Sequence, residues 1–207
     1  MSISYITVRN YGAENMMELG EIRKKLKKEL DKGRYEHTKG VMYTAGCLAM
    51  AHGYSVEDAM LAGLLHDCAK CIPNDEKIRL CEENGILISQ VEYDGPYLLH
   101  AKLGAFLAEN TYGVTDPEIL HAIRVHTTGA PDMSLLDKIL YIADYIEPCR
   151  DKAPDLDKVR KLAFQDLDVC MAKILHDTLC YLSSRGGSID PMTKMTYDFY
   201  KNNWKEE

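Results

Sequence analysis

The chain has 207 residues, 46% of them hydrophobic and 28% charged, with a net charge of −7. That is the profile of one globular domain with a full core. It excludes a membrane span, which needs roughly 20 consecutive apolar residues. It also argues against an extended nucleic-acid groove, which needs an excess of Lys and Arg to meet phosphates. Seven cysteines, an odd number, accompany a start that lacks the basic-then-apolar layout of an export signal. Reduced thiols and a cytoplasmic location are expected. Cys68 and Cys71 form a single C-x-x-C, without the second pair of a structural zinc ribbon.

Residues 1–14 read as an N-terminal arm, and 15–207 as one all-α helical domain. A Lys- and Glu-rich amphipathic helix spans 14–32, and Gly33 stops it. A second helix covers 35–53 and ends at Gly53. Ser55 caps a third, with Asp58 three residues on, and that helix runs to about Ala69. A short polar helix covers 74–84. Pro96 opens a helix to about Tyr112, and Asp116-Pro117 opens another that ends near His126. Residues 134–147 form a helix stopped by Pro148. A long helix runs from about Asp155 to Leu182, and a last one from Asp190-Pro191 to about Asn203. The stretches "ISYITV" and "GILIS" alternate too poorly to be read as strands. The methionines at 16, 17, 42, 50, 60 and 171 are read as core filler.

Within this pattern "AMLAGLLHDCAK" is the anomaly. Seven uncharged residues, Ala59 to Leu65, are followed at once by His66 and Asp67. A buried carboxylate without a partner costs several kcal/mol, on the order of a domain's whole stability. Other helices repeat the anomaly. Asp144 shares a stripe with Leu136 and Leu140, His100 shares a face with Leu103, Gly104 and Leu107, and His37 lies on the side of Val41 and Met42. His126 ends its helix before the loop "TTGAP". A lone inward His is usually a hydrogen-bonded core residue. Four His and two Asp, all inward on five helices, are more economically explained by metal. Imidazole and carboxylate together suit Fe, Mn, Zn or Ni rather than Mg or Ca. Six ligands exceed what one open catalytic metal takes, and fit two metals sharing a carboxylate.

The order of these residues resembles the HD superfamily of metal-dependent phosphohydrolases. His37 lies 29 residues before the His66-Asp67 dyad, and Asp144 lies 77 after it. His100 and His126 match the branch with two metals. The motifs "RYEHTKGV", "AGLLHDCAK", "GPYLLHAKLGA", "AIRVHTTG" and "LDKILYIADYIEPCR" are similar to those of the bacterial YqeK-type hydrolases, over about Arg34 to Tyr200. The chain departs from that pattern after Arg150. It has "DKAPDLDKVR" where an aromatic-proline-glycine turn is usual. The resemblance implies a helical bundle with a dinuclear site in its core, and that two cations satisfy the buried dyad. His37, His66, Asp67 and Asp144 would hold the first metal, and Asp67, His100 and His126 the second. It further implies iron, a homodimer, binding of purine nucleoside diphosphates, and symmetrical hydrolysis of diadenosine tetraphosphate.

An acidic protein acting on a polyanion needs local cations. Arg34 is one helical step from His37, Lys70 follows the dyad, and Arg150 follows the Asp144 helix. All three are candidate phosphate contacts, with Asp67 and Lys70 as the catalytic pair. Thr127, Thr128 and Gly129, on a loop beside the site, are candidates for the base or ribose pocket. His52, His121 and His176 fall outside every motif and are read as structural. Two other readings use the same residues: an HD nucleotidase or phosphodiesterase of different specificity, and a nucleotide sensor without turnover.

Overall fold

The computed structural model describes residues 16–186 and 189–204, and the arm at 1–14 lies outside them. The described residues form eleven α-helices with no strand among them. These are α1 (Leu19–Glu29), α2 (Lys32–His52), α3 (Val56–Leu65), α4 (Asn74–Glu83), α5 (Gln90–Asp94), α6 (His100–Asn110), α7 (Pro117–Val125), α8 (Leu135–Ile146), α9 (Leu156–Ala163), α10 (Leu167–Ser184) and α11 (Pro191–Tyr200). A 3₁₀ turn, Pro96–Leu99, leads into α6.

Side-chain caps set most of the boundaries. Asp31 accepts from the amide of Arg34 to open α2, and Gly53, at φ 73°, closes it. Ser55 caps α3, and Ser134 forms a capping box with Asp137 on α8. Helix α2 packs on α3 and α8, α7 on α6 and α8, and α10 on α8, α9 and α11. One continuous apolar cluster fills the space, with Val41, Met42, Leu64, Leu103, Ile123, Leu136 and Leu140 fully buried. At Gly63 a Cβ would come within 2.8 Å of the Met42 Cα. The missing side chain lets α3 cross α2 closely, and that brings the dyad after α3 up to His37 on α2.

Four expectations need correcting. Helix α1 ends at Glu29, and Gly33 lies inside the first turn of α2, where the Asp31 cap has already started a new helix. Helix α3 stops at Leu65, so His66 and Asp67 sit in the following turns rather than on the helix. The stretch from 155 to 182 is two helices, because Asp166 accepts from the amides of Asp168 and Val169 and starts α10 afresh. Met16 and Met50 are exposed at 57% and 65%, while Met42 and Met171 are core.

Candidate metal centre and active site

Three of the four candidate imidazoles are aimed by one local device. His66 and His126 are the residues immediately after α3 and α7. The last carbonyls of a helix have no amide partner. His66 Nδ1 donates to the Gly63 carbonyl and His126 Nδ1 to the Ile123 carbonyl, each at 2.7 Å. His100, following the 3₁₀ turn, does the same to the Tyr97 carbonyl at 2.6 Å. Each ring thereby holds its proton on Nδ1 and presents Nε2, with its lone pair, to the centre. His37 on α2 is held differently. Its Nδ1 donates to Glu147 Oε1 at 3.0 Å.

Glu147 was not among the residues singled out from the sequence. It is 1% exposed, and its other oxygen accepts from the amide of Cys149 at 2.7 Å. Gly40 makes room for it, since a Cβ there would collide with the carboxylate. Glu147 lies just past the end of α8, with ψ at 153°, so helical spacing from Asp144 gave no signal for its direction.

Asp67 lies between the two halves of the cluster. Its Oδ2 is 3.4 Å from His66 Nε2 and 3.8 Å from His37 Nε2, and it accepts from Arg34 Nη1 at 2.6 Å. Its Oδ1 is 3.3 Å from His100 Nε2 and 3.7 Å from His126 Nε2. Asp144 Oδ1 is 3.0 Å from His37 Nε2. Donor atoms of His37, His66 and Asp67 lie within 4.8 Å of one another, as do those of Asp67, His100 and His126, and those of His66, His126 and Asp144.

The electrostatics show what this arrangement lacks. Burial alone would raise the Asp67 carboxyl, but His66, His126 and Lys70 hold it well below the carboxylate range. Asp144 is part-buried, and His37, His66 and Arg150 hold its carboxyl far below the usual value. Burial, then His126 and Lys70, push the His100 imidazole well down, which keeps it neutral. His37 Nε2, His66 Nε2 and Asp67 Oδ1 are buried and take part in no hydrogen bond. Buried polar atoms are normally satisfied. Orphaned nitrogen and oxygen donors on convergent side chains fit a divalent transition metal.

The surrounding cleft has a volume of about 630 Å³ and is lined by Arg34, His37, Lys70, His100, His126, Thr127, Tyr141, Asp144, Tyr145, Arg150 and residues 151–153. Arg150 Nη2 binds Asp144 Oδ1 at 2.8 Å, and Lys70 Nζ lies 3.0 Å from His100 Nε2. Thr127 Oγ1 is 3.2 Å from the Nε2 of both His100 and His126. Ten of the twelve residues expected at the site therefore meet in one place. Thr128 and Gly129 do not. They line an adjacent cavity, which Thr127 also borders.

The histidines read as structural lie elsewhere. His52 bonds the Ala163 carbonyl at 2.7 Å, His121 pairs with Asp137 at 3.0 Å, and His176 packs on Trp204.

The HD domain family matches residues 34–149, more than half of the chain. The chain belongs to the HD domain family. It is 39% identical over 174 residues to the symmetrical bis(5'-nucleosyl)-tetraphosphatase of Bacillus subtilis (strain 168), covering 84% of this chain and 92% of that one. It is 40% identical over 182 residues to the enzyme of the same name from Halalkalibacterium halodurans, covering 88% and 96%. A crystal structure from Clostridium acetobutylicum, described as a predicted HD superfamily hydrolase involved in NAD metabolism, superposes with a TM-score of 0.88 at 37% identity, over 91% of this chain and all of that one. As an HD-family member, the chain is a metal-dependent hydrolase. No helix among the described residues is long and apolar enough to cross a membrane.

Proposed function

We propose that this enzyme cleaves diadenosine tetraphosphate symmetrically into two ADP. The observation that carries the reading is Asp67, which turns one oxygen to His37 and His66 and the other to His100 and His126. A carboxylate shared by two sets of imidazoles is the donor set of a two-metal site. His37, His66, Asp67 and Asp144 would hold one ion, and Asp67, His100 and His126 the other. Iron is our assignment for both, on the family resemblance, and Mn, Zn or Ni suit the same donors. When bound, such a pair supplies a nucleophile at neutral pH and positive charge for the phosphoryl oxygens.

The chain's own side chains do the rest. Arg34, Lys70 and Arg150 border the cleft from three different segments and bind the phosphates of one nucleoside diphosphate half. Their charge holds the second phosphorus of the chain over Asp67. A slip of one phosphate would move the reacting atom by roughly 3 Å, out of attack geometry. Lys70, on the His100 side, meets the charge that develops on the departing ADP. Burial lowers its ammonium pKa despite Asp67 nearby. The relatives' names and the net charge of −7 support a nucleotide substrate over a nucleic-acid partner. The resemblance supports a homodimer, and the seven unpaired cysteines support a cytoplasmic location.

Product analysis in ¹⁸O-water tests the reading. At an early time point two ADP are expected, with label in only one of each pair. Equal AMP and ATP would contradict the symmetrical cut and leave the metal site standing.

A further inference from the structure

Thr127 borders two cavities. One is the metal cleft. The other, of about 330 Å³, lies on the far side of the loop after α7, between that loop, α6 and the start of α11. We propose that this second cavity holds the distal nucleoside of the dinucleotide, the half that leaves. The inference rests on the reading above, because only a substrate with two nucleosides needs a second subsite.

Four observations support it. Thr127, which the two cavities share, has its hydroxyl 3.2 Å from the Nε2 of both His100 and His126, whereas Arg34 pairs with the Asp67 oxygen that faces His37 and Arg150 pairs with Asp144. A phosphate chain running from the first pair of cations across Asp67 arrives at Thr127. Secondly, its walls suit a base: Leu98, Val125 and the thioether of Met192 are apolar, and Thr128 adds a hydroxyl. Met192 is 38% exposed. A polarizable sulfur beside an aromatic ring is a favourable contact. Thirdly, the volume falls in the range of small-molecule sites. Fourthly, two cations and two carboxylates line the cavity; Asp190 accepts from the amide of Met192, and only one of the cations has a carboxylate partner. Lys102 is paired with Glu92 at 2.8 Å. Arg124 is exposed, and its side chain has no hydrogen bond or ion pair among the described residues. An unpaired guanidinium in the wall of this partly apolar cavity fits the last phosphate before a nucleoside.

Two variants test the placement, and neither disturbs a packed side chain. For Arg124→Ala the KM for diadenosine tetraphosphate should rise about tenfold, the loss expected for one charge-assisted hydrogen bond. For Met192→Ala it should rise roughly threefold, the loss of one apolar wall. In both, kcat and the dissociation constant of ADP should stay within about twofold of the parent. Adenosine 5'-tetraphosphate, which has the phosphates but no second nucleoside, separates the two contacts. Its Ki should rise for Arg124→Ala and stay unchanged for Met192→Ala. An unchanged KM in both variants overturns the placement, and so does an equal rise of KM and Ki for Met192→Ala, or a matching loss of ADP affinity. Those results leave the functional reading intact. A parent that turns over no dinucleoside tetraphosphate removes the reading and this inference together.

Discussion

Lys173 on α10 and Asp67 after α3 are both buried ionised side chains, and their surroundings differ in one respect. Lys173 Nζ donates to both oxygens of Asp177, at 2.7 and 2.6 Å, lies 3.1 Å from Asp155 Oδ2, and sits over the Trp204 ring at 5.4 Å. Its charge is matched and its donors are used. Asp67 Oδ1 takes no hydrogen bond, and neither does His66 Nε2, which faces the other Asp67 oxygen. The first cluster is complete as folded protein. The second is complete only with something added. Buried charge alone therefore does not mark a functional site, because the Lys173 cluster has that too. The mark is buried charge with donors left over.

The comparison can be broken at either cluster. The largest effect is expected for Asp67→Ala, which should lower turnover by well over 100-fold and reduce bound metal. A ligand shared by both halves matters more than the outer partners, whose loss costs 10–100-fold. Elemental analysis beside an assay checks it, and full metal content in the variant would refute the sharing. Next comes Glu147→Gln, which removes the carboxylate that orients His37. Metal affinity should fall by about 10- to 100-fold, measured by competition with a chelator, while the fold survives.

On the other side, Lys173→Met leaves Asp177 buried without its cation and should cost about 3 kcal/mol of stability, with kcat of the folded enzyme unchanged. Denaturant unfolding measures it. The pH dependence has a definite sign. Burial lowers the Lys173 pKa, but Asp177 and Asp155 raise it more, so the net value lies above the ordinary lysine range. The pair's contribution is complete below the unfolded lysine pKa and is lost as pH rises through the raised one. The parent should therefore lose stability at strongly alkaline pH, and Lys173→Met should lose less. The smallest effect is expected for His52→Ala. It gives up one bond to the Ala163 carbonyl, costs about 1 kcal/mol, and leaves metal content alone.

The sequence made the centre legible because polar residues on apolar stripes are rare and helical spacing says which way they point. His37, His100 and Asp144 are on helices and were readable by that rule. His66, Asp67 and His126 are in turns after helices, where periodicity no longer fixes direction; the capped Gly63 and Ile123 carbonyls do so instead. Glu147 was missed because an acid next to Pro148 at a helix end normally faces water. Here it has left the helix, with ψ at 153°, and it turns inward past Gly40. Thr128 and Gly129 were grouped with Thr127 by adjacency, but the loop turns at Gly129, φ 67°, and sends them to the second cavity. The break between α9 and α10 was hidden because no Gly or Pro marks it. The Asp166 cap is a local contact that competes with continuing the helix, and here it wins.

The metal content of anaerobically purified, active protein tests the central claim most directly. About two transition-metal ions per chain are expected, one for each face of Asp67. Active protein with fewer than about one ion per chain would contradict the account.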